Sequence, residues 1–252
     1  MFKSFLRRRL ESAGCVVFNT RSPVYYARDS LFTTNNDQFR QSPSFQAAYA
    51  RGVKAGGVDP HIEWRVHVAL WAARQAARIP GDFVECGVNA GFLSSAIMQH
   101  LNWASAGKRF FLIDTFAGPV VSQYSADEVR GGRLDAARDA MARGAYVTDL
   151  ERVRANFREW PRVEIIQGAV PEVLTALPVR QVAFLHIDMN CAAPERAALE
   201  FFWESLAPGA IVLLDDYAYF GYQSLTAAID ELAARLGFEV LSLPTGQGLI
   251  IH

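Results

Sequence analysis

From Asp82 onward the chain alternates short apolar runs with amphipathic stretches. The apolar runs are Phe83–Cys86, Phe110–Asp114, Val163–Gln167, Val182–Asp188, Ile211–Asp215, Phe238–Leu243 and Leu249–Ile251. Each is short and bounded by turn residues, the pattern of strands buried on both faces. Three- and four-residue apolar spacing between them predicts helices over Phe92–Leu101, Leu150–Glu159, Pro171–Leu177, Pro194–Leu206 and Tyr222–Leu236. Only Pro244-Thr245-Gly246-Gln247 separates the last two runs, too little for a crossover helix, so they predict an antiparallel hairpin. The expected fold is therefore α/β: a doubly wound, seven-stranded, mostly parallel sheet ending in that hairpin.

Upstream, His61–Gly81 carries Ile62, Val66, Ala69, Leu70 and Ala73 at helical spacing and stops at Pro80-Gly81. Residues 1–60 are dense in Gly, Pro, Ser and Asn and read as an N-terminal extension with short helices, leaving 61–252 as the main domain. At the start, Phe2, Phe5, Leu6 and Leu10 share one face of a basic helix. Residues 1–18 thus allow weak contact with a membrane surface, although so short a stretch is better read as a helix packing on a partner or domain. No run of 18 apolar residues occurs, so no transmembrane segment is expected. Ala117–Thr148 interrupts the strand–helix rhythm. As an insertion after the second strand it sits over the carboxyl edge of the sheet, where either a lid or a plain surface helix fits.

Composition adds exclusions. A formal net charge of −1 supplies no field that would draw the chain to nucleic acid. The three cysteines, Cys15, Cys86 and Cys191, lie far apart without metal-type spacing, which suits a reducing, cytoplasmic setting. A homo-oligomer remains open.

The chemistry gathers at strand ends. Glu85, Asp114, Asp188 and the pair Asp215-Asp216 close four of the predicted strands, where a doubly wound sheet forms its ligand crevice. In GDFVECGVNAGF, Gly87 and Gly91 allow close backbone approach at a strand–helix turn, with Asn89 between them. The spacing is not GxGxxG, which counts against a dinucleotide and suits S-adenosyl-L-methionine, a ligand without phosphate. Asp114, followed by Thr115, stands where a ribose-binding carboxylate belongs, and Gly168-Ala169 would edge the adenine. Asp188, Asp215 and Asp216 offer hard oxygens suited to Mg²⁺ or a similar divalent cation that would orient an acceptor hydroxyl.

GDFVECGVNAG, LIDTFAG, LHIDMN and LLDDY together resemble the macrocin O-methyltransferase family, across residues 80–252. The resemblance implies methyl transfer to a hydroxyl of a sugar, glycan or natural-product intermediate. It also implies metal roles for Asp188, Asp215 and Asp216, and cofactor roles for Glu85, Gly87, Asp114 and Gly168. The family often has a second acid where this chain has Asn190. An amide is a poor proton acceptor, so His186, His61, His67 or the metal alone enter as candidates for proton removal. Two rivals stand beside this reading: a nucleotide-sugar oxidoreductase, disfavoured by the missing glycine motif, and a non-catalytic cofactor-binding subunit.

Overall fold

The computed structural model describes residues 2–15 and 26–252, which form two compact units, 1–38 and 39–252. In the first, helix α1 (Phe2–Ser12) is followed by β1 (Tyr26–Arg28) and β2 (Leu31–Thr33), an antiparallel pair. Residues 1 and 16–18 of the basic stretch lie outside the described residues.

The second unit contains α2 (Pro43–Gly56), α3 (Glu63–Ala76), β3 (Asp82–Cys86), α4 (Phe92–Leu101), β4 (Phe110–Asp114), α5 (Ala126–Arg130), α6 (Arg133–Ala142) and α7 (Leu150–Phe157). It continues with β5 (Val163–Gln167), β6 (Val182–Ile187), α8 (Ala192–Phe202), β7 (Leu206–Leu214), α9 (Gln223–Leu236), β8 (Leu241–Ser242) and β9 (Gly248–Ile251). The seven strands β3 to β9 form one sheet in the order β5-β4-β3-β6-β7-β9-β8. The first five in that order run parallel, and β9 runs antiparallel to both β7 and β8.

Neighbouring residues on each strand point to opposite faces. Phe83, Phe110, Phe184 and Ile211 pack with α2, α3 and α4, whereas Val84, Phe111, Leu185 and Val212 pack with α8 and α9. Both faces are covered, which is why these strands are apolar throughout rather than alternating. The order reverses beside β3, between β4 and β6, and a crevice opens at the carboxyl ends there.

Several boundaries differ from the pattern reading. Phe45 and Ala48 of α2 belong to the sheet's core, so residues 39–60 fold with the larger unit rather than as an extension. Pro171–Leu177 makes a single 3₁₀ turn at Leu174–Ala176, because Pro178 drives Leu177 into extended backbone before a second turn can form. Strand β7 begins at Leu206, where a helix had been expected to end. Strand β8 shrinks to Leu241–Ser242, since an edge strand has one partner and only two residues find it. No helix among the described residues is long and apolar enough to cross a membrane.

The Ala117–Thr148 insertion supplies α5 and α6. Ser125 and Glu128 cap α5 reciprocally. Glu128 also accepts the Ala192 N–H at the start of α8 (2.9 Å), where a carboxylate is favoured by the helix dipole. That contact fastens the insertion to the sheet domain.

Candidate functional site

The strand-end turn after β3 is shaped from within. Gly87 has φ 91°, and a Cβ there would lie 1.7 Å from the Asp188 carbonyl oxygen. Glycine is required because the ends of β3 and β6 approach closely, not because a ligand presses on it. Asp114, at the end of β4, fixes the same turn. Its Oδ2 accepts the N–H groups of Val88 and Asn89, and its Oδ1 accepts that of Phe116, each at 2.8 Å. Thr115 closes the neighbouring turn by donating to the Gly118 carbonyl (2.9 Å).

Asn89, at φ 50°, ties this turn to the end of the insertion. Its amide donates to the Ala145 carbonyl (2.9 Å) and accepts the Val147 N–H (2.8 Å). Gly168 is placed by its N–H to the Asp114 carbonyl (2.9 Å). Gly91 caps α4 and faces the Phe157 ring, where a Cβ would lie 2.3 Å away. Gly91 and Ala169 fall outside the residues that line the crevice, although their chain neighbours Ala90, Phe92, Gly168 and Val170 are among them.

The crevice encloses about 440 Å³. On one side lie Glu85, Gly87–Ala90, Asp114, Thr115 and Gly168; on the other lie Arg65, Asp188, Met189, Asn190 and Asp215. Residues 118–120, Gln123 and 144–147 of the insertion form its third wall. Of the two readings left open for the insertion, it covers the crevice.

The acidic side is a chain of charges. Arg65 from α3 reaches Asp215 Oδ2 at 2.6 Å and lies 4.0 Å from Asp216 Oδ1, with its guanidinium 4.9 Å from the Tyr219 ring centre. Gln247, fully buried in the β8–β9 turn, donates to Asp215 Oδ1 (2.9 Å). His186 sits behind, with Nδ1 3.0 Å from Glu85 Oε1 and Nε2 3.9 Å from Asp215 Oδ1.

Burial pushes the His186 imidazole down, but the charges of Asp215 and Glu85 outweigh it and raise its pKa to about 10. His186 is 1% exposed and lies behind the carboxylates, outside the crevice lining. His61 is exposed, lies 3.2 Å from Asp59 and is likewise outside the lining. His67 stacks on Phe39 (4.0 Å), and burial lowers its pKa.

Burial opposes ionisation of Asp215, yet Arg65 and His186 hold its carboxyl below the usual range. Asp216 has less compensation: burial and the charge of Asp215 push it up to about 7, and its Oδ2 is buried without a hydrogen-bond partner. Burial, then Asp215 and Asp216, push Asp188 well above the carboxylate range. Among the described residues, no three His, Cys, Asp or Glu side chains are grouped to hold a metal ion. The three expected ligands thus share one end of the sheet without forming a ready cage, and Asp215 is committed to Arg65 and Gln247.

Asn190, at φ 59°, donates from Nδ2 to Asp188 Oδ1 (3.1 Å) and accepts at Oδ1 from the Tyr222 hydroxyl. Arg133 of the insertion covers the Tyr222 ring, 3.6 Å from its centre. Arg65 and Tyr222 were not among the residues singled out from sequence.

A doubly wound sheet of this strand order, with a crevice where the order reverses and an antiparallel terminal hairpin, defines the class I methyltransferase fold. The chain belongs to the macrocin-O-methyltransferase family, whose pattern it matches over residues 66–237. The 8-demethyl-8-(2,3-dimethoxy-alpha-L-rhamnosyl)-tetracenomycin-C 4'-O-methyltransferase of Streptomyces olivaceus is 30% identical over 149 residues. That match covers 56% of this chain and 54% of the relative, so the chain spans about half the length of the curated relative it matches. Among solved structures, the O-methyltransferase NovP superposes with TM-score 0.65 at 19% identity, covering 86% of this chain and 99% of NovP. The calicheamicin methyltransferase CalS11 gives 0.57 at 17%, covering 86% and 97%. At these identities the likeness to solved structures is one of fold.

Proposed function

We propose that the protein is an S-adenosyl-L-methionine-dependent O-methyltransferase acting on a hydroxyl of a sugar-bearing natural product or glycan. The observation that carries this reading is the two-sided crevice. One wall is the turn pinned by Asp114, and the other is the carboxylate-rich end of β6 and β7. The family membership and the named activity of the Streptomyces relative support a sugar hydroxyl as acceptor.

In this reading the cofactor's adenosyl group lies along residues 87–90, Asp114, Thr115 and Gly168, and the acceptor enters between Asp188, Asn190 and the insertion. The acceptor oxygen attacks the sulfonium methyl carbon. The new C–O bond forms as C–S breaks, the electron pair returns to sulfur, and the hydroxyl proton passes to solvent. Such a displacement gains most from holding the reacting atoms in line and excluding water. The insertion wall and the Asn89 clamp to Ala145 and Val147 provide that enclosure. Asn190 is held as a donor toward Asp188 by Tyr222, so it orients the carboxylate rather than taking a proton.

A divalent cation fits one feature of this site. Asp216 Oδ2 is buried and unpartnered, and Asp216 and Asp188 repel each other's charge. Hard oxygens of this kind suit Mg²⁺, which is commonly held by one or two carboxylates with water and substrate completing its shell. We assign it to Asp188 and Asp216, with Asp215 held beside them by Arg65. When bound, the cation would lower the pKa of an acceptor hydroxyl. We place the protein in the cytoplasm, a reading supported by its three unpaired cysteines.

Thermal unfolding tests the cofactor assignment. S-adenosylhomocysteine should raise Tm, and Asp114→Ala should remove most of that rise. Stabilisation by NADH in place of S-adenosylhomocysteine refutes the assignment. Methyl transfer to a rhamnosylated acceptor, with and without EDTA, tests acceptor class and cation separately.

A further inference from the structure

The clearest feature outside the crevice is α1. Residues 2–12 contain Lys3, Arg7, Arg8 and Arg9 against the single acid Glu11, a surplus of three positive charges in a chain whose formal net charge is −1. The remaining residues carry 21 Lys and Arg against 25 Asp and Glu, so the rest of the chain has a net charge opposite in sign to that of the helix. Its apolar side chains are not withdrawn into a core: Phe5 is 58% exposed, Leu6 48% and Leu10 38%. The arginines are exposed as well. Arg7 pairs with Glu11 one turn on (2.7 Å), and the Arg9 guanidinium lies 5.3 Å from the Phe5 ring centre. A long side chain folded over an aromatic ring keeps its charge at the boundary between apolar and polar surroundings.

We propose that α1 is a docking element for an anionic lipid surface. Phe5, Leu6 and Leu10 enter the boundary between headgroups and acyl chains, while Arg7, Arg8 and Arg9 engage the acidic headgroups. Charge complementarity selects this occupant. A neutral protein groove would satisfy the three apolar side chains but leave the cluster of basic residues without partners, whereas an anionic bilayer satisfies both at once. The helix is short, so attachment should be reversible and sensitive to salt.

Co-sedimentation of the full chain with lipid vesicles tests this. One set is phosphatidylcholine alone, and the other is phosphatidylcholine mixed with phosphatidylglycerol. Partitioning into the anionic vesicles should exceed that into neutral vesicles by about tenfold or more, and should collapse at high salt. Phe5→Ser/Leu6→Ser/Leu10→Ser and Arg7→Gln/Arg8→Gln/Arg9→Gln should each abolish the preference. Neither should shift Tm or the response to S-adenosylhomocysteine, which shows that the sheet domain is intact. Equal partitioning into both vesicle types overturns the proposal, as does full binding by either triple variant. Sedimentation velocity without lipid covers the remaining occupant. If the chain is a dimer that the serine variant converts to a monomer, the face joins two copies and the lipid assignment is wrong.

Discussion

Replacing Arg65 with Met tests the charge arrangement of the crevice directly. Met keeps the length and much of the apolar bulk of the side chain and removes the cation. Arg65 and Asp215 are 14% and 12% exposed, and they meet at 2.6 Å, so solvent screens the pair weakly. Removing one partner of a buried ion pair typically costs about 3–5 kcal/mol, because the other charge is left uncompensated. Here Asp215 keeps its hydrogen bond from Gln247 and the neighbouring His186 ring, which places the expected loss at about 2–3 kcal/mol. For a domain of this size that is a fall in Tm of roughly 5–10 °C, read by calorimetry near neutral pH. The pH dependence follows from the direction of the Asp215 shift. Its folded-state pKa lies below the ordinary carboxylate value, so the stabilisation is present above about pH 4 and is lost as pH falls further. The gap between the parent chain and Arg65→Met should therefore be steady at neutral pH and close in acid. Adding Asp215→Leu to Arg65→Met removes the stranded carboxylate and should recover part of the loss. A single variant within about 1 °C of the parent refutes the reasoning, and so does a double variant no more stable than the single.

Asp216 titrates in the opposite sense. Its pKa is raised to about 7, so its contribution is intact below about pH 4 and is lost as pH rises through 7; Asp216→Asn should flatten the stability profile over that interval, and an unchanged slope contradicts the assignment. Excess Mg²⁺ should raise the Tm of the parent chain more above pH 7 than at pH 5, and Asp216→Asn should lose that response. Asn89→Ala removes two hydrogen bonds to the insertion; amide exchange at residues 145–147 should accelerate about tenfold, and KM for S-adenosyl-L-methionine should rise more than kcat falls.

The fold was legible wherever local pattern and tertiary environment agree. Strands β4 and β5 and helix α4 match their apolar runs residue for residue, since each is bounded by polar or glycine residues. The pattern failed where a single neighbour decided the outcome. Pro178 shortened the predicted Pro171–Leu177 helix through a backbone clash that periodicity does not register. Leu206 joined β7 because the sheet extends past Ile211 through Ala210 and Gly209, small residues whose apolar signal is weak. Helix α2 was hidden in a stretch rich in Gly and Ser, although Phe45, Ala48, Gly52 and Ala55 are all buried and follow helical spacing.

The crevice was legible in its acids and not in what holds them. Carboxylates at strand ends announce themselves because they are costly to bury, but the same cost implies donors that have no motif. Arg65 left a trace: it stands three residues after Ile62 and four before Ala69, on the buried face of α3, where an arginine needs a buried partner. Gln247 stands in the turn that joins the last two strands, and the hairpin register supplies its partner. Leu214 pairs with Gly248, which brings the next residue of one strand, Asp215, beside the preceding residue of the other, Gln247. Tyr222 reaches Asn190 across a loop, a contact that no spacing encodes. His186 shows the consequence most clearly. Read alone, a histidine two residues before an aspartate on a strand invites the role of base. In the fold it lies between Glu85 and Asp215, and both carboxylates favour its charged form over the burial that opposes it. Arg65 and His186 both lower the Asp215 pKa, while burial and neighbouring carboxylates raise those of Asp216 and Asp188.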